Sequence, residues 1–155
     1  MAPVIIRPYV DTDFAAIARI HDASRMVELA DTVGVEAFLS LADTYENEGL
    51  FDDPVLVAEL DGTVVGFVAA SADEVNWLYV HPDHFRQGVA TRLLDAALAD
   101  AGPTVEASVL AGTGTVGFYE AYGFRITGTT TGKLVGNEKF DATGHTMVLT
   151  RFRRQ

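Results

Sequence analysis

The run from Val75 to Leu98 constrains this chain most, because three local signals follow one another there without a gap. Val75-Asn76-Trp77-Leu78-Tyr79-Val80 is rich in β-branched and aromatic residues and reads as a strand. Pro82 and Asp83 stop it, since proline cannot donate to a ladder and both residues favour turns. From Val89 the apolar residues fall at Val89, Leu93, Leu94, Ala97 and Leu98, which is helical spacing. Between strand and helix lies Arg86-Gln87-Gly88-Val89-Ala90, a glycine followed two residues later by an alanine. Small residues there let a ligand approach the backbone at a helix start, where unpaired N–H groups and the helix dipole favour an anion. Arg86 adds to that field. The same residues also suit an ordinary strand–helix connection in which Gly88 only relieves a turn.

With 155 residues and 48% hydrophobic content, the chain is long enough for one domain with its own core. It holds no apolar run near the ~18 residues that a membrane-spanning helix needs. Its start lacks the basic region and long apolar stretch of a signal peptide. There is no cysteine, which excludes disulfides, thiolate metal sites and a cysteine nucleophile. A cytoplasmic protein is the expectation. The net charge of −11, with Lys133 and Lys139 the only lysines, repels a phosphate backbone. Neither nucleic acid nor membrane is an expected partner. The basic cluster Arg151-Phe152-Arg153-Arg154 reads as a solvated tail.

Taken in order, Val4-Ile5-Ile6 is a first strand stopped near Pro8, and Asp11-Thr12-Asp13 supplies a helix N-cap. Phe14, Ile17, Ala18 and His21 share one face of the next helix, with His21 expected to be partly buried. The segment from Ser24 to Glu48 reads as one or two further helices, with Val35, Phe38, Leu39, Ala42 and Tyr45 as the apolar face. Val55–Leu60 and Thr63–Ala69 form a hairpin around the Asp61-Gly62 turn. The helix from Val89 runs toward Gly102-Pro103. Thr104–Leu110 is a strand, and a short helix reaches Tyr122, where Gly123 ends it. Phe124 to Gly132 and Thr146 to Phe152 read as a last pair of strands, with a loop from Lys133 to Gly144 between them. The layout is a single α/β domain spanning the chain, built on one mixed sheet.

Two separated segments resemble those of a known family. Leu78-Tyr79-Val80-His81-Pro82-Asp83, then Gly88-Val89-Ala90 and Leu93-Leu94, are similar to the acyl-CoA-binding signature of the GNAT superfamily of N-acetyltransferases. The signature has the form Gln/Arg-x-x-Gly-x-Gly/Ala, which here is Phe85-Arg86-Gln87-Gly88-Val89-Ala90. Phe85 departs from it and removes one side-chain donor, leaving Arg86, Gln87 and the backbone amides. Phe118-Tyr119-Glu120-Ala121-Tyr122-Gly123-Phe124 resembles the family's Phe/Leu-Tyr-Glu-x-x-Gly-Phe. The fold this resemblance implies is a GNAT-like domain of about six or seven mostly antiparallel strands and about four helices. Its sheet would splay at the centre, between the strand ending at Val80 and the one ending near Leu110, and acetyl-CoA would bind in that wedge.

Acyl transfer to an amine requires groups that hold the cofactor's phosphates, polarise the thioester carbonyl, take up the ammonium proton and protonate the departing thiolate. The resemblance assigns the phosphates to the backbone from Phe85 to Thr91, through Arg86, Gln87, Gly88, Val89 and Ala90. It assigns the carbonyl to a strand amide freed by a bulge among Leu78, Tyr79 and Val80. Phe118 opens the second motif, and Gly112 stands where relatives commonly place an asparagine that contacts the cofactor. Tyr119 matches the family's general acid, and its phenol is protonated at neutral pH. At helical spacing with Phe118 and Tyr122 it also suits a packing role. Glu74 stands where several relatives carry a glutamate base, and alternation groups it with Asn76 and Leu78 on one strand face. It could take the amine proton directly or through a water, or serve only as a solvated acid.

His81 and His84 flank Pro82-Asp83 on a turn with no cysteine or helical histidine partner, so no metal is expected. The function implied is transfer of acetyl from acetyl-CoA to a primary amine by direct attack in a ternary complex. The resemblance places the acceptor, a small molecule or peptide, against the 24–48 segment and the later loops. Glu28, Asp31, Glu36, Asp43, Glu46 and Glu48 there suit a cationic acceptor, and equally a solvated acidic face. The rival reading is a non-catalytic GNAT-like module that binds an acyl-CoA or a protein partner. A homodimer through the C-terminal strands is the assembly the resemblance leaves open.

Overall fold

The tight turn at Asp61 (φ 52°) and Gly62 (φ 78°) fixes the first part of the sheet. Two consecutive left-handed residues give the turn whose twist matches the flanking strands, which is what Asp-Gly favours. It joins β2 (Val55–Leu60) to β3 (Thr63–Ala70). The computed structural model describes residues 3–134 and 137–151. Around that hairpin the chain adds β1 (Val4–Pro8), α1 (Phe14–Ala30), the one-turn α2 (Leu41–Thr44), β4 (Glu74–Val80), α3 (Val89–Ala97), β5 (Thr104–Leu110), α4 (Gly114–Tyr122), β6 (Arg125–Leu134) and β7 (Asn137–Thr150).

The seven strands form one sheet in the order β1-β2-β3-β4-β5-β7-β6. All neighbours are antiparallel except β4 and β5, which run parallel and pair only at Glu74↔Glu106 and Val75↔Ala107. Beyond Val75 they diverge, so the splayed centre inferred for the strands ending at Val80 and Leu110 is present. One face of the sheet is covered by α3 and α4, over a core that includes Val68, Val80, Leu93, Leu94, Val105 and Met147. The other face is covered by α1 and α2, over Ile17, Ile20, Leu41, Val57, Phe67 and Trp77. Gly66 lets α3 sit close: a Cβ there would lie 3.0 Å from Leu93 Cδ1 and 3.1 Å from the Tyr79 carbonyl oxygen. Leu93 is fully buried at that contact, and its truncation to alanine would cost about 2–5 kcal/mol.

Several sequence expectations are corrected. α1 continues through Ser24 to Ala30, because Ile17, Ile20, His21, Ser24 and Leu29 form one continuous buried stripe. Between α1 and β2 the chain makes 3-10 turns at Val35–Ala37 and Leu50–Asp52 with short α2 between them, not a long second helix. α3 stops at Ala97, before Gly102. The segment 133–144 belongs largely to a long β6–β7 hairpin rather than to a loop. Most of β6 is exposed, so no alternation of apolar residues betrays it. Cross-strand polar pairs accompany the ladder instead: Thr129 with His145 (2.8 Å), Thr131 with Thr143 (2.9 Å) and Lys133 with Asp141 (2.9 Å). The strand expected to end at Phe152 reaches Thr150, and Phe152 lies outside the described residues. No helix among the described residues is long and apolar enough to cross a membrane.

Candidate active site

The site begins with backbone direction. The His81 N–H donates to Val65 O on β3, at 2.9 Å. Because polar groups alternate along a strand and Tyr79 pairs with Phe67 in the same register, the N–H and C=O of Leu78 and Val80 point the other way, toward β5. At that level β5 has moved off, so both amides face the wedge. The register irregularity of β4 lies earlier, at Asn76: Ala69 pairs with Trp77 and Ala70 with Val75. Thus the bulge is not within Leu78–Val80, and what frees those amides is the divergence of β5. The extra residue also breaks the expected alternation. Val75 now shares a core with Leu78 and Val80, so Glu74 turns to the opposite face from Leu78, while Asn76 Nδ2 donates to Asp53 Oδ2 at 2.8 Å.

The wedge is a cleft of about 560 Å³. Val75, Asn76, Leu78 and Tyr79 of β4 and Ser108, Val109 and Leu110 of β5 form its sides. Tyr119 closes it from α4, Ser24, Arg25 and Glu28 from α1, and Lys133 and His145 from the β6–β7 hairpin. Tyr119 is only 4% exposed, wedged edge-on against Phe118 (5.4 Å) and Phe124 (5.0 Å), with the side chain forming part of the cleft wall. Burial pushes its phenol above the ordinary value and the Glu28 charge adds to the shift, so the proton stays on at any working pH. Tyr79 is held between His21 (4.9 Å) and Phe67 (5.7 Å), and burial raises its phenol likewise.

Glu28 faces this cleft with one carboxylate oxygen, Oε1, buried and without a hydrogen-bond partner. Arg25 Nη1 forms an ion pair with it at 3.6 Å, beyond hydrogen-bond distance. Burial raises the Glu28 carboxyl above the ordinary value, and the Arg25 charge opposes the shift. Burial raises Glu48 in the same direction. His21, buried and bonded through Nδ1 to Asp22 Oδ1 at 3.0 Å, is pushed toward its neutral form by that burial.

The turn after β4 stands at the open end of the wedge. His81 Nδ1 accepts from the Asp83 N–H (3.1 Å), fixing a 3-10 turn over Pro82–His84. Arg86 (φ 61°) and Gly88 (φ 79°) are both left-handed, and Gly88 caps α3 with no side-chain partner for its first amides. A Cβ on Gly88 would meet nothing within 4 Å, so the backbone at Gly88 is open to a ligand. Phe85, Arg86, Gln87 and Thr91 are exposed, whereas the Val89 and Ala90 side chains pack inward.

The structure therefore brings Leu78, Tyr79 and Tyr119 together around one cleft, and the Phe85–Thr91 turn follows the end of β4 that diverges from β5. Glu74 is exposed and does not line the cleft. Phe118 packs into the α3–α4 side, and Gly112 lies beside Thr32, where a Cβ would come 3.6 Å from Thr32 Cγ2. Of the acids between 24 and 48, Glu28 and Glu48 line the cleft, and Asp31, Glu36, Asp43 and Glu46 are exposed. Sequence reasoning counted Glu28 only as one acid among several. The signal for it was the spacing His21, Ser24, Arg25, Glu28, which continues the buried stripe of α1 with polar residues. No group of three or more metal-ligating side chains occurs among the described residues.

Comparison with known proteins points the same way. The model of the acetyltransferase (GNAT) domain matches residues 52–126, from the start of β2 through the Tyr119 helix. The uncharacterised N-acetyltransferase YafP of Escherichia coli K12 is 30% identical over 129 residues, covering 81% of this chain and 83% of that one. A GCN5-related N-acetyltransferase from Rhodopseudomonas palustris has a TM-score of 0.81 at 27% identity, covering 97% of this chain and 98% of its own. YncA from Salmonella typhimurium, described as an acetyltransferase and solved with its cofactor acetyl-CoA, has a TM-score of 0.68 at 23% identity, covering 97% of this chain and 95% of its own. With a splayed β4–β5 pair, a glycine-capped turn after β4 and these relatives, the chain belongs to the GNAT family and is a GNAT-type N-acetyltransferase.

Proposed function

We propose that the protein transfers the acetyl group of acetyl-CoA to a primary amine, both held in the cleft at once. The observation that carries this reading is the pair of β4 amides, Leu78 and Val80, turned toward the side where β5 diverges, with Leu78 and the Tyr119 phenol lining one cleft. Those residues fit an acyl-CoA. The backbone from Arg86 to Thr91, open at Gly88, would hold its phosphates through N–H groups, with the Arg86 guanidinium adding charge. Leu78 and Val80 would donate to its thioester carbonyl. When bound, acetyl-CoA supplies an activated acetyl group. YncA, a neighbour in fold, was solved with that cofactor.

The chain's own residues supply positioning and protons. Fixed strand amides need no reorganisation as negative charge develops on an oxygen, which makes them effective donors. Tyr119 Oη retains its proton because ionisation in a buried site beside Glu28 is disfavoured, and it can deliver that proton to a thiolate. The acceptor would lie on the α1 side, between Arg25, Glu28 and Glu48, where two carboxylates favour a cationic amine.

Amine-dependent release of free thiol from acetyl-CoA tests the reading, using spermidine, L-lysine, tobramycin and an alanyl peptide as acceptors. Turnover with any of them, abolished in Tyr119→Phe, is the expected result. Acetyl-CoA binding with no amine acetylated would favour the rival reading, an acyl-CoA-binding module.

A further inference from the structure

We infer that Glu28, on the wall of the cleft opposite Tyr119, takes the proton from the acceptor amine. The inference rests on the acetyltransferase reading above and adds to it the group that generates the nucleophile. An ammonium cannot attack a carbonyl. One N–H bond must break with its electron pair left on nitrogen, and the proton must go to a base within reach.

Three observations select Glu28. It comes from α1, on the face of the sheet opposite the α3–α4 layer that supports Tyr119, and both side chains line the same cleft. An amine between them would have its proton acceptor on one side and the proton donor for the leaving group on the other. Its Oε1 is the buried side-chain oxygen that lacks a hydrogen-bond partner among the described residues, although the side chain keeps 15% of its surface open. Arg25, ion-paired to Oε1 at 3.6 Å, offsets part of its charge but makes no hydrogen bond to it, so the carboxylate keeps accepting capacity that no protein group uses. Finally, burial raises its carboxyl toward the range where a base both ionises at neutral pH and holds a proton well. Glu74, by contrast, is exposed and lies outside the cleft wall.

The groups around Glu28 oppose one another. Arg25 on α1 and Lys133 on β6 face the cleft with positive charge, and Glu48 beyond α2 with negative charge. Tyr79 on β4 and Tyr119 on α4 stay neutral, and His145 on β7 lines the same space. After the transfer this first proton rests on the Glu28 carboxyl and returns to solvent; the second N–H proton, shed as the C–S bond breaks and the amide forms, replaces the one that Tyr119 gives to the departing thiolate.

The test compares wild type, Glu28→Gln, Glu28→Asp and Glu74→Gln with the four acceptor probes named above, reading kcat/KM from about pH 5 to 10. Wild type should lose activity at acid pH as Glu28 protonates. Glu28→Gln should fall about 10²–10⁴-fold near neutral pH and recover at alkaline pH, where the amine loses its own proton to water. Glu28→Asp should retain an acid limb at reduced rate, and Glu74→Gln should keep the wild-type profile. Without acetyl-CoA, ¹³C NMR of glutamate-labelled protein should show a carboxyl, absent from Glu28→Gln, that titrates above the ordinary glutamate value. A Glu28→Gln variant with the wild-type limb overturns the inference, as does an equal loss at every pH with a lowered unfolding midpoint. If no probe is acetylated, the acetyltransferase reading falls, and a Glu28 carboxyl titrating at or below the ordinary value then overturns the base assignment separately.

Discussion

The Tyr122 hydroxyl donates to Asp95 Oδ1 at 2.7 Å, tying α4 to α3 on the side away from the cleft. This bond separates two nearby phenols: Tyr122 is engaged in structure, whereas Tyr119 contributes to the cleft wall. Tyr122→Phe should therefore retain turnover and lose about 0.5–1.5 kcal/mol of stability, the usual net worth of such a bond. Tyr119→Phe should do the reverse. Its ring contacts with Phe118 and Phe124 survive the change, so the unfolding midpoint should hold while thiol release falls about 10²–10⁴-fold. Thermal unfolding and thiol release on the two variants separate the roles.

Gly88 offers a test of the cofactor turn. Its φ of 79° suits glycine, and an added Cβ would meet no protein atom. Gly88→Ala should then cost only the strain of a left-handed side chain, about 1–2 kcal/mol. If phosphates lie against this backbone, the methyl group enters their space, and acetyl-CoA affinity should drop at least about tenfold, or ~1.4 kcal/mol. Calorimetric titration with acetyl-CoA at a temperature where the variant is folded reads this directly.

Acid stability should depend on Asp13. Its carboxylate accepts from Arg7 at 2.8 and 2.9 Å and from the Val10 N–H at 2.9 Å, and Arg7 also reaches Glu59 at 3.1 Å. The Arg7 bond holds Asp13 below the ordinary carboxylate value against the opposing effect of burial. A carboxyl depressed by folding stabilises the native state above its unfolded value, near ~3.9, and loses that contribution as pH falls through the folded value. Asp13→Asn should cost about 1.5–3 kcal/mol at neutral pH. The gap from wild type should narrow below about pH 3. Urea unfolding at the two pH values measures both.

Arg25 should tune the base. Its positive charge works against the burial that raises Glu28, so removing it lifts that carboxyl further. Arg25→Gln should shift the acid limb of kcat/KM to higher pH. An unmoved limb would mean that Arg25 does not act on the titrating group.

How far the sequence revealed this molecule depended on whether a residue's neighbours were local. The β2–β3 hairpin followed from Asp61-Gly62, and the turn into α3 from Pro82 and Gly88, because turn chemistry is written in adjacent residues. β5 was legible from Val105, Ala107 and Val109 alternating toward the core. β7 was hidden because its first half pairs with an exposed strand and carries polar residues such as Lys139 and Asp141 on an ungoverned surface. Tyr119 was reached through its motif. Glu28 was not, because its importance comes from α1 lying across the splay of β4 and β5, a long-range relation. The bulge at Asn76 had the same effect on Glu74: one extra residue reverses a face, and no local signal marks it.

The most direct test of the central claim is the unfolding midpoint of the wild-type protein with acetyl-CoA at ~100 times its dissociation constant. That concentration adds ~2.7 kcal/mol to the native state, a rise of about 5–10 °C for a chain of this size. Such a rise, reduced in Gly88→Ala, is the predicted result. A midpoint that does not move with acetyl-CoA would contradict the assignment of the β4–β5 wedge as an acyl-CoA site.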